Sequence, residues 1–127
     1  MDRLLWVCLG SALGGGARYL VAQSAAVLLG GGFPYGTLAV NLTGSFLISF
    51  IMVVGLESTV IPPTLRLFLT TGMMGGFTTY STFNYETLEM LREGLWGLAG
   101  LNLAATVGAC LVAGLLGLAA GRLVTGG

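Results

Sequence analysis

The chain has 127 residues, 55% of them hydrophobic and only 8% charged, and its mean hydropathy is +0.92. Soluble domains carry about a quarter charged residues, so an ordinary cytosolic domain is excluded and an integral membrane protein is expected. Five basic and five acidic residues cancel, which leaves no basic patch for nucleic acid.

A membrane helix needs about 20 apolar residues. The length therefore holds four spans in a single all-α domain, 1–127, with little left for loops. The first span covers about Leu4 to Leu29, interrupted by Arg18 and Gln23. Arg3 and the run from Leu4 to Leu13 have the look of a signal peptide, with Ser11-Ala12-Leu13 as a weak cleavage context. The apolar run continues past Arg18 to Leu29, so a retained helix is the better reading. Gly30-Gly31-Gly32-Phe33-Pro34-Tyr35 is a turn-rich connection. The second span covers about Gly36 to Leu56. Glu57 to Pro63 forms the next loop, and Pro62-Pro63 is a helix-start signal. The third span runs from about Thr64 to Leu91, and Arg92 to Trp96 is a short loop. The fourth span runs from about Gly97 to Val124, and Gly126-Gly127 reads as a frayed end. Arg3, Arg66 and Arg122 fall near one membrane face and Arg92 near the other. That bias is small, and it is compatible with insertion in both orientations.

The third span is abnormal. Its middle reads Thr70-Thr71-Gly72-Met73-Met74-Gly75-Gly76-Phe77-Thr78-Thr79-Tyr80-Ser81-Thr82-Phe83. Glycine and threonine are poor helix formers in water. Unwound backbone at membrane depth survives only when it is buried in protein or lines a wet cavity. Freed carbonyls in a discontinuous helix are one way to build an ion site. A break is expected here, around the adjacent pairs Gly75-Gly76 and Thr78-Thr79. The competing reading is a continuous helix whose glycines serve packing.

Polar residues recur at helical spacing. Thr37, Asn41, Ser45 and Ser49 lie four apart on the second span, and Asn102, Thr106 and Cys110 four apart on the fourth. Interhelical hydrogen bonding explains Ser45 and Ser49. The larger desolvation cost of an amide favours a cavity-lining role for Asn41, and for Asn102 both readings stay open. Tyr80 and Phe83 are three apart and share a face; spacing alone makes them ordinary core. Arg18 is the only strongly charged group deep in the first span. Intramembrane arginine is a functional candidate, with snorkelling to the interface as the alternative. Glu86 is read as buried and paired, Glu89 and Glu93 as near the surface. The chain has no histidine, which removes His-based catalysis and metal sites. Cys8 and Cys110 are read as two buried small hydrophobes. The interior is thus rich in donors and poor in carboxylates, which suits an anion. Cation pathways present acidic side chains or carbonyl rings.

Three motifs carry a resemblance. Gly14-Gly15-Gly16-Ala17-Arg18-Tyr19, Gly36-Thr37-Leu38-Ala39-Val40-Asn41-Leu42-Thr43-Gly44-Ser45-Phe46 and the stretch from Thr71 through Phe83-Asn84-Tyr85-Glu86 resemble the Fluc (CrcB) family of fluoride channels over essentially the whole chain. The resemblance implies an antiparallel, dual-topology homodimer in the cell (inner) membrane, with a broken third helix and two fluoride pores at the dimer interface. It also implies a central structural Na+ held by backbone carbonyls that match Gly75 and Thr78. The family's pore asparagine matches Asn41, and its paired phenylalanines match Tyr80 and Phe83. The polar track beside them takes in Ser81 and Thr82, and Asn102 and Thr106 by position. Arg18 matches the family's arginine as a structural or vestibule charge. Tyr80 departs from the family phenylalanine, and its phenol adds bulk and a donor. The implied function is passive export of toxic fluoride across the lipid bilayer.

Other classes fit less well. A small dual-topology multidrug or cation antiporter needs a carboxylate embedded in the first span, where Asp2 is terminal and no other acid follows. A non-transporting assembly subunit would leave the hydroxyl cluster of the third span unexplained. An enzyme would need a nucleophile–base or metal set, and none is apparent.

Overall fold

The computed structural model describes residues 2–126, and among them it is helical with short connections and no strand. Gly127 lies outside the described residues. Three long helices match three predicted spans to within two residues at either end: α1 (Asp2–Leu29), α2 (Tyr35–Glu57) and α6 (Trp96–Thr125). Each is long and apolar enough to cross a membrane. Their outward faces expose Leu20, Val27, Leu28, Val107, Leu111 and Leu123. Apolar side chains turned outward along whole helices are what a hydrocarbon solvent requires, since all backbone bonds close within each helix.

The third predicted span takes a different form. It is built of α3 (Pro63–Leu67), a π-helical stretch (Phe68–Met74), α4 (Gly75–Phe77) and α5 (Ser81–Arg92). Pro63 opens α3 at a position where its missing N–H breaks no helical bond. Thr78 leaves helical geometry at φ −86°, ψ 162°, and the chain turns helical again at Ser81. The break between α4 and α5 is thus limited to residues 78–80. Gly75 and Gly76, expected within the unwound stretch, are helical instead. The π-helical stretch was not legible in the sequence.

Two close approaches set the packing. α1 lies on the π-helical stretch and α4, and α2 lies along α6, with α5 resting on α6. On the first contact, a Cβ added at Gly10 would fall 2.6 Å from the Phe68 carbonyl oxygen, and one at Gly14 would collide with that of Met73. From the other side, a Cβ at Gly76 would fall 2.5 Å from the Ser11 carbonyl oxygen. Small residues let backbones meet in this way where lipid tails offer no hydrophobic drive. On the second contact, a Cβ at Gly117 would collide with the Phe46 carbonyl. Gly10, Gly14, Gly76 and Gly117 therefore serve packing, and the interruption begins beyond them at Thr78.

α5 ends cleanly. Gly94 adopts φ +78°. Its N–H donates to the Leu91 carbonyl at 3.1 Å, and that of Leu95 to Met90 at 2.8 Å. This double closure satisfies the last carbonyls of the helix and turns the chain directly into α6. Gly126, expected to fray, instead caps α6 at φ +75°.

The packing yields a prediction. Gly14→Ala forces α1 away from Met73, and overpacking of that kind costs about 1–3 kcal/mol. Gly16 has open space around it, so Gly16→Ala does not lower stability. Thermal unfolding of the two variants in detergent, compared with the parent chain, checks the contrast.

Candidate functional site

The residues between α4 and α5 are held by side chains from other elements and from their own neighbours. The Met74 carbonyl accepts from both the Thr78 N–H at 3.0 Å and the Thr78 hydroxyl at 2.9 Å. The Asn41 amide on α2 grips Thr79 twice. Its Oδ1 accepts from the Thr79 N–H at 2.8 Å, and its Nδ2 donates to the Thr79 carbonyl at 2.9 Å. The pair of bonds fixes which way the amide faces, because a flip would set oxygen against oxygen. It also leaves Nδ2 with a second N–H. The Thr79 hydroxyl accepts from the Thr82 N–H at 3.3 Å and so helps start α5. On the α1 side, Arg18 Nε donates to the Gly76 carbonyl at 3.1 Å. Among the described residues the Gly75 and Thr78 carbonyls accept no hydrogen bond outside the helices.

A cavity of about 360 Å³ opens beside this segment. It brings together Asn41, Ser45, Gly75, Thr78, Thr79, Tyr80, Phe83, Thr106 and Cys110, from α2, α4, α5, α6 and the connection before α5. No charged side chain lines it. Thr106 is 8% exposed, and its hydroxyl has no hydrogen-bond partner. A buried donor without a partner is costly to maintain, and among the described residues no protein group consumes this one.

The remaining sequence candidates divide. Tyr80 and Phe83 do meet, with ring centroids 5.9 Å apart and planes tilted by 58°. Phe83 is core at 5% exposure, but Tyr80 is 76% exposed, so the expectation of an ordinary core pair fails for Tyr80. Ser81 is exposed and Thr82 half-buried, and neither lines the cavity. Asn102 does not line it either. It is 1% exposed and donates through Nδ2 to the Thr87 hydroxyl at 3.0 Å. Thr87 in turn donates to the Phe83 carbonyl at 2.9 Å. Asn102 thus anchors the backbone that carries Phe83, a packing role reached through a residue the sequence reading passed over. The signal was present: Thr87 lies one turn after Phe83 on the same helix.

Two further expectations are corrected. The cysteines are not both buried: Cys8 is exposed and Cys110 is half-buried in the cavity wall. Apolar character in a lipid-facing helix does not imply burial in protein, because lipid serves equally well. Nor is Glu86 paired with a cation among the described residues, where the ion pair is between Arg92 and Glu89. Glu86 is half-buried, and one of its oxygens lacks a partner. Together with Thr37, Glu89 and Glu93 it lines a second cavity of about 310 Å³ beside the Gly30–Gly32 turn.

The family described as "CrcB-like protein, Camphor Resistance (CrcB)" matches residues 5–118. The chain is 58% identical to the "Fluoride-specific ion channel FluC" of Anaeromyxobacter sp. (strain K), over 89% of this chain and 90% of that one. It is 45% identical to the protein of the same name from Sorangium cellulosum (strain So ce56), over 100% of both chains. A third protein of that name, from Pelobacter propionicus, is 48% identical over 100% of this chain and 99% of its own. The match spans the helices, the interrupted segment and the polar cavity alike, and the chain belongs to the CrcB family of multi-pass membrane proteins.

Proposed function

We propose that this chain forms a fluoride-selective channel that lets the ion leave the cell passively, with no enzymatic step. The observation that carries the reading is the cavity with uncharged walls, where the Thr106 hydroxyl is unpartnered and Asn41 keeps one N–H to spare. The relatives named as fluoride-specific channels support it. Fluoride is small, hard and tightly hydrated. A hydroxyl, an amide N–H and the positive edge of the Phe83 ring replace part of its water shell. None carries the full charge that would trap it. Conduction requires binding strong enough to admit the ion and weak enough to release it.

The functional unit in this reading is an antiparallel pair of chains. The interruption at residues 78–80 then lies within the membrane as a broken third transmembrane helix. A second copy of opposite orientation supplies the inverted repeat that 127 residues do not contain internally. Tyr80, exposed within one chain, would then face the pore or the partner. Ser81 and Thr82 would extend the polar path. Thr106 lines it, and Asn102 supports it from behind through Thr87 and Phe83.

The Gly75 and Thr78 carbonyls fit a structural Na+ shared between two copies. They end a short helical piece, where carbonyls carry partial negative charge, and no hydrogen bond outside the helices consumes them. Carbonyl oxygens at half-helix ends suit this ion. Bound there, it would supply the positive charge that lets two such ends face each other. The antiporter alternative finds no carboxylate in the cavity beside the interruption.

Liposomes holding the purified chain are expected to release fluoride and retain chloride. No fluoride release above empty vesicles, with a folded dimer in hand, overturns the channel reading. Asn41→Asp sets a carboxylate oxygen against the Thr79 carbonyl and removes the spare donor. A lost buried hydrogen bond costs about 1–3 kcal/mol, so fluoride efflux falls roughly tenfold or more. Phe83→Ile keeps an apolar side chain and removes the ring edge; efflux is expected to fall while the dimer survives in size-exclusion chromatography. Replacing Na+ with a large organic cation during purification is expected to dissociate the dimer. An imposed Na+ gradient, in contrast, drives no uphill fluoride movement.

A further inference from the structure

We infer that Arg18 is a positioning residue of the ion pathway, one that acts by capping the helical end at Gly76 rather than by displaying charge. The inference rests on the channel reading given above and adds a role for a residue outside the cavity wall. Three positions on α1 lie one turn apart: Gly10, Gly14 and Arg18. The two glycines press the α1 backbone onto residues 68–77. The next turn therefore sets Arg18 so close that its inner nitrogen, Nε, is the atom that reaches the Gly76 carbonyl, at 3.1 Å.

The acceptor is one of the last carbonyls of the helical piece that ends at Phe77, and such carbonyls have no intrahelical partner. It stands between Gly75 and Thr78, whose carbonyls accept nothing outside the helices. Arg18 thus does two things at once. Its positive charge offsets the negative end of the helix. Its planar, directed N–H fixes the direction of one carbonyl, and so the path by which the backbone enters Thr78. Asn41 fixes the other side of the same turn through Thr79. A lysine ammonium would keep the charge and lose the fixed direction, because it is a compact, strongly hydrated point on a flexible stem.

The test compares Arg18→Lys and Arg18→Ala with the parent chain, each purified as the dimer in Na+. The first readout is amide hydrogen exchange over residues 77–80, which does not depend on transport. Exchange is expected to quicken in both variants. The second is fluoride efflux from liposomes, expected to fall about tenfold in Arg18→Lys despite the retained charge. The third is chemical rescue: millimolar ethylguanidinium restores part of the efflux of Arg18→Ala, and ethylammonium does not. Parent-like exchange together with parent-like efflux in Arg18→Lys overturns the inference, as does equal rescue by the two cations. If the parent chain itself passes no fluoride, the channel reading fails, and the exchange data still decide the role of Arg18. If Arg18→Ala does not fold, Arg18→Lys decides it through exchange and efflux.

Discussion

Backbone N–H and C=O groups within a membrane need partners in the protein or in a wet cavity. Most of this chain meets that constraint by staying helical. Residues 78–80 leave the helix, and much of the local architecture follows from how most of their polar groups are satisfied. Met74 takes the Thr78 N–H and hydroxyl, Asn41 takes both polar groups of Thr79, Tyr80 accepts from Asn84, and Arg18 takes the carbonyl just before the turn. Ties therefore come from α1 and α2 as well as from the segment itself. The interruption is held open by the fold around it.

That dependence explains why the glycines lie where they do. A side chain as short as asparagine reaches a neighbouring backbone only if the helices approach closely. The Gly10, Gly14 and Gly76 contacts bring α1 to within backbone contact of the interrupted segment. On the other flank, Gly44 on α2 leaves no room for a Cβ beside the Thr78 methyl group. Glycine in a helix costs roughly 1 kcal/mol relative to alanine in water. Here that cost is offset by the packing and hydrogen bonds which close approach makes possible.

How much of this was legible in the sequence differs by element. The three long helices were, because some 20 consecutive apolar residues admit one reading. The third segment was legible as irregular and not in its detail. Gly75-Gly76 looks like a breaking point in a list of propensities, and it is helical because Ser11 and Gly15 press on it. The choice between packing and unwinding is made by a neighbour more than 55 positions away in sequence, which no local pattern contains. The site was read in part for the same reason. Asn41 stood out by its desolvation cost. The spacing of Asn102, in contrast, put it in one stripe with Thr106, while a single hydrogen bond to Thr87 takes it behind Phe83. Periodicity assigns a face to a residue and says nothing of which partner waits there.

The placement of charge bears on how such a cavity would pass an anion. Arg18 reaches the carbonyl next to Gly75, a residue of the cavity wall, and a guanidinium in the wall itself would bind fluoride tightly enough to hold it. Here its Nε is committed to the Gly76 carbonyl, and the residue is absent from the cavity lining. What faces the cavity instead are neutral donors and an aromatic ring, each a weak substitute for water. In a low-dielectric setting even partial charges attract strongly, so a few of them suffice to draw the ion from water, and none singly suffices to keep it. No carboxylate meets a mobile cation in this cavity, and the carbonyls of Gly75 and Thr78 are the groups proposed to hold a fixed Na+. On the proposed reading, selectivity for sign and ease of release thus share one cause: the full positive charge is spent on shaping the backbone, and only partial charges are left to the ion.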